Sequence, residues 1–351
     1  MPIEGALRDE SGGPQHGASW PAQRRQHCSV PLRELRLVAP GPSPSISLVE
    51  GSSRVMLRVA TWNMDHWKRM RDDPSGQAQR DAWAYLQGLN VDVALVQEAV
   101  PPPFIDPASW PVRSHPAPDQ PDQWFIHPRY RRWGSAVVVF NPALEFEPIE
   151  TTPLNSARDH KGLWISHPGT WAGIRISRPQ QAPIVVISAY GLFDDWNPEI
   201  KSGYTTSTVN RMLSDLTPLL DSEEGRLTLL AGDLNIGTQY TDPSPEEPHR
   251  WGRMHRATMD RISALGLVDC LAKGVAPDRG PLAGCPCGPA PDCRHVRTYR
   301  HDNKTDGPPW QNESFFATKA LADSLGTCAA TDDEAAWALS DHCPVIAEFA
   351  D

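Results

Sequence analysis

Four segments of this chain set oxygen-bearing side chains beside a short apolar run. Residues 57–62 lead into Asn63 and Asp65, residues 91–97 into Glu98, and residues 227–231 into Gly232-Asp233-Leu234-Asn235. Ser340-Asp341-His342 stands directly before the last run, 343–349. Carboxylates and amides are hard oxygen donors suited to Mg²⁺ or Mn²⁺, and a single histidine among them suits proton transfer or charge stabilisation. Each residue alone also has a plain structural reading: Asn63 as a turn residue, Asp233 as a helix cap, Asp341-His342 as a surface ion pair. Glu98 is harder to read that way, because a carboxylate buried at a strand end without a cation is costly. The same arrangement in four segments favours a site. Competing catalytic patterns are missing from the sequence: it contains no GxSxG, Walker A, HExxH or GxGxxG motif.

The elements that must position these residues are short. Runs at 57–62, 91–97, 135–140, 184–190, 227–231 and 343–349 are apolar, rich in β-branched residues and bounded by polar or turn residues, as buried strands should be. Carboxylates at the ends of several such strands can gather on one rim of a sheet. Between the strands, 76–89 reads as a helix capped by Ser75 with Trp83, Leu86 and Leu89 on one face. Val209, Met212, Leu213, Leu216 and Leu220 mark a second helix, whose last turn Pro218 must kink or shorten. Met254, Ile262 and Leu265 mark a third, stopped by Gly266. Trp62 and Trp164 read as core, and Asp269 as a loop cap. Residues 1–54 lack sustained periodicity and read as a flexible extension or a non-native upstream start. Residues 55–351 read as one mixed α/β domain.

Composition sets the outer bounds. With 33 Lys and Arg against 43 Asp and Glu, the net charge of −10 over 351 residues is that of an ordinary soluble, cytoplasmic protein, and a monomer is expected. Taken alone it argues against nucleic-acid partners. No apolar run approaches the ~20 residues of a membrane span, and the N-terminus shows no apolar signal region. The 36 prolines, roughly twice the usual share, point to a loop-rich domain.

Taken in order, Thr61-Trp62-Asn63-Met64-Asp65, Val96-Gln97-Glu98, Ser188-Ala189-Tyr190-Gly191, Gly232-Asp233-Leu234-Asn235 and Ser340-Asp341-His342 resemble the endonuclease/exonuclease/phosphatase superfamily, the DNase I-like fold. The resemblance spans roughly residues 57–349. It implies a four-layered α/β/β/α sandwich, two packed mixed β-sheets flanked by helices, and Mg²⁺- or Mn²⁺-dependent phosphoester hydrolysis at one rim. It implies Glu98 as the principal metal ligand, with Asp65, Asn63 and Asp341 beside it. Asp233 would orient and deprotonate the attacking water, Asn235 would hydrogen-bond the phosphoryl oxygens, and His342 would stabilise charge on them. Tyr190 falls where relatives aim a Tyr or His at the phosphate. Glu313 stands where relatives carry the Asp that orients the histidine and is one methylene longer. Tyr190-Gly191-Leu192 lacks the Pro and Asn that often follow this Tyr in abasic-site endonucleases, so the resemblance does not extend to abasic-site specificity.

Two further features complete the reading. Cys285, Cys287, Cys293 and His295 fall within eleven residues. Their types suit tetrahedral Zn²⁺ but their spacing matches no standard finger, which leaves structural zinc, reduced thiols and a disulfide all open. The other cysteines, Cys28, Cys270, Cys328 and Cys343, read as small apolar residues. Basic-aromatic stretches at 66–71, 129–133 and 294–304 offer Arg69, Arg131, Arg132 and Arg300 as candidate phosphate contacts, or are simply solvated loops. The expected activity is a nuclease acting on DNA or RNA. A phosphoinositide, sphingomyelin-like lipid or other small phosphoester is the alternative substrate, and a non-catalytic binding module the alternative class. A local excess of cation and arginine at the rim would reverse the sign of the net charge there.

Overall fold

The computed structural model describes residues 57–350 apart from 67, 69–72, 74, 103–112, 128, 130, 155–161, 179, 193–203, 240–249, 277, 288–292 and 302–304. The expected extension 1–54, with Cys28, lies outside the described residues, as does Arg69.

Strands β1 (Leu57–Asn63), β2 (Val93–Ala99), β3 (Arg113–His115) and β4 (Gly134–Val139) join β13 (Leu325–Ala330) and β14 (Val345–Phe349) in one six-stranded sheet of order β13-β14-β1-β2-β4-β3. A second six-stranded sheet has the order β11-β12-β10-β9-β8-β5. Its strands are β5 (Glu145–Pro148), β8 (Trp171–Ser177), β9 (Ile184–Tyr190), β10 (Thr228–Asp233), β11 (Leu267–Asp269) and β12 (Glu313–Thr318). β6 (Thr151–Pro153) and β7 (Leu163–Ile165) form a small separate pair. Both large sheets are mixed: β1–β2 and β9–β10 run parallel, while β1–β14 and β10–β12 run antiparallel.

Alternation along the strands creates the layers. Val59, Val93, Leu95 and Val137 of the first sheet pack against Ile174, Val186, Leu229 and Phe315 of the second, forming the core between them. The intervening residues face outward. Ala60, Trp62, Ala94 and Val96 meet Ala82, Trp83 and Leu86 of α1 (Gln77–Gly88). Val185, Ile187, Leu230 and Phe316 meet Val209, Met212, Leu213 and Leu216 of α2 (Tyr204–Leu220), with Ile262 of α3 (Arg250–Ala264). The result is the α/β/β/α order expected. Short helices α4 (Cys270–Gly274), α5 (Lys319–Ala322) and α6 (Glu334–Leu339) close the ends of strands. Among the described residues, no helix is long and apolar enough to cross a membrane.

Local details differ from the sequence reading where side chains compete. α1 starts after Gly76, which adopts φ 72°, and the first turn is held by the Asp73 carboxylate accepting from Ala78 N at 3.0 Å. Ser75 also contacts this turn through Gln77 N at 3.3 Å, but it is not the cap residue. α2 continues two residues beyond Pro218, because a missing N–H in the last turn removes only one bond. Gly266, at φ 78°, ends the third helix as expected. Asp269 caps α4 through Ala272 N at 2.9 Å. Trp62 is fully buried, whereas Trp164, expected in the core, is only half-buried on the small β6–β7 pair.

Candidate active site

The inward-facing rows of five strands change from apolar to polar toward one end. Val59 and Thr61 precede Asn63; Val93 and Leu95 precede Gln97; Val186 and Ser188 precede Tyr190; Leu229 and Ala231 precede Asp233; Ala317 and Phe315 lead back to Glu313. Period-two geometry therefore places these polar side chains in the seam between the sheets, at its rim. The seam is hydrogen-bonded just beneath the rim. Gln97 Nε2 donates to Ser188 Oγ at 2.9 Å, and Ser188 Oγ donates to Val96 O at 2.8 Å.

Glu98 breaks the alternation. It would share the outer face with Ala94 and Val96, but the β2–β4 register shifts between Val96 and Ala99, and Glu98 adopts φ 47°. This bulge re-aims its carboxylate into the seam. There Oε1 accepts from Tyr190 OH at 2.9 Å and from Asn63 Nδ2 at 3.2 Å. Asn63 Nδ2 also donates to Asp233 Oδ2 at 2.8 Å, so one amide from the first sheet binds carboxylates on both. The Asn63 carbonyl oxygen Oδ1 accepts from Asp65 N at 3.0 Å, holding Asp65 in a left-handed turn at φ 48°.

Asp233 is anchored at both oxygens. Oδ1 accepts from Asn235 N at 2.9 Å, and Oδ2 accepts from Asn235 Nδ2 at 3.2 Å besides Asn63. Asn235 Nδ2 reaches Gly191 O at 3.0 Å as well. A phosphate contact through this amide would require one of those bonds to be exchanged. The close packing depends on Gly232, where a Cβ would lie 1.8 Å from Ala189 O.

His342 Nδ1 lies 2.5 Å from Glu313 Oε1, on a strand position directly opposite Asp233 in the β10–β12 register. The extra methylene of glutamate therefore still reaches the ring. Glu313 N and Asn312 N both donate to Thr298 Oγ1, at 3.2 and 3.0 Å. The opposite ring nitrogen, Nε2, faces Asp341 Oδ1 at 3.7 Å and Asp233 Oδ2 at 3.9 Å. Tyr299 packs against the ring with centroids 4.6 Å apart. Ser340 Oγ donates to Asn63 O at 2.8 Å and accepts from His342 N at 3.1 Å, tying the histidine segment to β1.

Electrostatics follow from this crowding. Burial, with the charges of Asp341 and Glu98, raises Asp65 to about 7. Burial also raises Asp233 to about 7, reinforced by Glu313 and Glu98 and opposed by His342 and Asn63. Glu98 is raised by burial against its hydrogen bonds. Burial pulls His342 down, but Glu313, Asp233 and Asp341 together carry it well above its ordinary value. Tyr190 is raised by burial and the adjacent Glu98, and so stays protonated as a donor.

The structure thus brings together Asn63, Asp65, Glu98, Tyr190, Asp233, Asn235, Glu313, Asp341 and His342. Of the arginines, Arg131 is half-buried and close enough to Tyr190 for its charge to oppose that group's upward shift, while Arg132 is exposed and lies 5.7 Å from the Phe125 ring centroid. Arg300 donates its backbone N to Asp341 O at 2.8 Å, but its side chain is not brought to the cluster. It is buried, its guanidinium 4.2 Å from the Trp337 centroid and 3.1 Å from Glu334. Lys68, not singled out from sequence, supplies a cation instead, 3.4 Å from Asp341 Oδ2. Tyr299, Thr298 and Ser340 were equally missed as supports. Tyr299 sits in a basic-aromatic stretch and Ser340 in the Asp341-His342 motif, but nothing in sequence distinguishes Thr298.

Hard oxygen donors in mutual repulsion suit a divalent cation. Among the described residues, however, the side chains whose donor atoms already lie within 4.8 Å of one another are Cys285, Cys287, Cys293 and His295, not these carboxylates. An open arrangement fits Mg²⁺, which is commonly held by one or two carboxylates, water and substrate phosphate rather than by a closed protein cage.

No family model and no curated protein sequence matches the chain. Solved structures do. AP endonuclease LMAP from Leishmania major superposes with a TM-score of 0.56 at 15% identity, covering 85% of this chain and 89% of that one. An AP endonuclease from Archaeoglobus fulgidus gives 0.50 at 19% identity, over 84% and 99%. Together with the two mixed sheets and their flanking helices, these superpositions show that the chain has the DNase I-like α/β sandwich fold.

Proposed function

We propose that the protein is a divalent-metal-dependent phosphodiester hydrolase, acting on nucleic acid by attack of an activated water on phosphorus. The observation that carries this reading is the His342 arrangement. Its Nδ1 is clamped by buried Glu313, and its Nε2 is presented between Asp233 and Asp341 without a close bond to either. A binding module that merely retains the fold has no need of a buried, charged histidine aimed into a carboxylate-lined cleft.

Asp233 serves as the base: anchored by Asn63 and Asn235, with its carboxyl near 7, it is poised to take a proton from water at neutral pH. His342, held cationic, donates from Nε2 to phosphoryl oxygens as their charge grows. Glu313 orients the ring and stabilises its charge. Asn235 positions Asp233 and offers its amide to the phosphate, and Tyr190 orients Glu98. Glu98, Asp65, Asn63 and Asp341 would hold Mg²⁺ or Mn²⁺, which when bound supplies charge neutralisation for an anionic substrate. Lys68 beside Asp341 and Arg131 near Tyr190 set cationic side chains at the rim against an overall −10, favouring a polyanion such as DNA or RNA over a neutral surface. The structural neighbours named above are AP endonucleases, which agrees with a nucleic-acid substrate.

The test is hydrolysis of single- and double-stranded DNA, RNA, inositol phosphates and sphingomyelin with Mg²⁺, Mn²⁺ or EDTA. Cleavage of a nucleic acid, abolished by EDTA and reduced at least ~10²-fold in Asp233→Asn and His342→Ala with folding intact, is expected. Wild-type inactivity on the whole panel with metal, or full activity in both variants, overturns the reading.

A further inference from the structure

Outside the carboxylate cleft, Cys285, Cys287, Cys293 and His295 form a second group of ligating side chains among the described residues. All four donor atoms lie within 4.8 Å of one another. His295 Nδ1 stands 3.5 Å from Cys285 Sγ and 3.5 Å from Cys293 Sγ. A tetrahedral zinc with bonds near 2.3 Å to sulfur and 2.05 Å to nitrogen has S···N edges of about 3.5 Å. The fourth donor, Cys287 Sγ, is 3.1 Å from Cys285 Sγ, far longer than a disulfide bond of about 2.05 Å and shorter than the ~3.8 Å edge of a tetrahedral site. That edge would open by well under 1 Å as the set closes around an ion, and no pair of donor atoms is more than 4.8 Å apart beforehand.

The surroundings are those of a built site. The second ring nitrogen of His295 meets Thr238 Oγ1 at 2.8 Å, leaving Nδ1 to face the sulfurs. Gln239 Nε2 donates to Cys285 Sγ at 3.1 Å, and Arg279 Nη2 donates to the carbonyls of His295 and Cys293 at 2.7 and 3.3 Å. Such outer partners fix the orientation of a ligating histidine and stabilise thiolate charge. Gln239 is itself immobilised, donating to Pro309 O at 3.0 Å and accepting from Gln311 N at 2.7 Å.

We infer that Cys285, Cys287, Cys293 and His295 bind one structural Zn²⁺, and that this ion fastens their loop onto the segment that follows β10. Thr238 and Gln239 lie three and four residues beyond Asn235, so the outer shell of the zinc site and the support of the catalytic cleft are one stretch of chain. Three thiolates and an imidazole are soft and borderline donors, which select zinc over the Mg²⁺ or Mn²⁺ suited to the carboxylates. Four protein ligands leave no open position, so the ion is structural. The thiol protons are released to solvent on binding.

The full chain purified under reducing conditions, without chelator or added metal, should contain one zinc per molecule by elemental analysis. Replacement by Co²⁺ should give thiolate-to-cobalt charge-transfer bands and tetrahedral d–d bands. Cys285→Ser and Cys293→Ser should lose the metal, Cys28→Ser and Asp233→Asn should retain it, and Thr238→Val should lose it to a competing chelator at a roughly 10- to 100-fold lower concentration. Wild-type protein without zinc that also gives no cobalt bands overturns the inference, as does zinc retained in both cysteine variants. If those variants do not fold, the cobalt spectrum of wild type and the Thr238→Val competition decide the matter. None of these readouts depends on hydrolysis, so a failed nuclease assay leaves the zinc result standing.

Discussion

At the scale of single residues, the cleft depends on charges placed where burial magnifies them. Glu313 is fully buried and lies against His342, and it is the first carboxylate among those that hold the ring cationic. Glu313→Gln keeps the side-chain length and removes the charge. The His342 ring should then titrate at markedly lower pH by NMR, and turnover should fall about 10²-fold with little change in KM. Glu313→Asp restores the charge but withdraws it by one methylene, so the titration should be intermediate. His255, on α3, is a histidine of the opposite kind. It accepts from Gly237 N at 3.0 Å through Nδ1, and burial lowers it to about 4. Its folded value lies below the ordinary 6.5, so its contribution to stability is complete above 6.5 and is lost as pH falls toward 4. Denaturant titrations at pH 8 and 5 should show wild type losing about 2 kcal/mol more than His255→Asn, which keeps an acceptor but cannot titrate.

Elements carry the cleft through two devices, a bulge and a set of caps. Asp333 caps α6, accepting from Ala336 N at 2.8 Å, and its other oxygen accepts from Tyr85 OH of α1 at 2.7 Å. α6 delivers Ser340, Asp341 and His342, so Asp333→Ala should cost about 1 kcal/mol in thermal or denaturant unfolding and loosen the histidine segment. Gly232→Ala should be far more damaging. Its Cβ meets backbone rather than a flexible side chain, and loss of cooperative folding by calorimetry is the expected outcome. These devices also explain what sequence could and could not reveal. The long apolar runs were legible because they are buried on both faces: β9 occupies the residues expected of it, and β1 and β10 differ from expectation by one or two. β3, β6 and β7 were not, since three-residue strands with half-exposed side chains carry no period. The bulge at Glu98 was hidden for a related reason. Local alternation puts that carboxylate outside, and only pairing with β4 turns it inward. The motif resemblance pointed to the residue without revealing how it is aimed.

For the whole molecule, net charge was the least informative quantity. The chain carries −10 in total, whereas the cleft sets Lys68, His342 and Arg131 beside its carboxylates and Tyr190. Substrate affinity should therefore fall with added salt by only a few counterions' worth, and Lys68→Ala should reduce the slope of log affinity against log salt by about one. The arginines were the least legible part of the site. A basic side chain in a loop has many partners within reach, and Arg300 takes Glu334 and Trp337. The amide of Asn63 has a different reach: it joins a carboxylate of each sheet, directly above the Gln97–Ser188 rung. The machinery proposed for hydrolysis is therefore also the clasp of the sandwich. Occupancy of the cleft should be recorded beneath its rim, as slower amide hydrogen exchange in the buried stretches of β1 and β10 that precede Asn63 and Asp233.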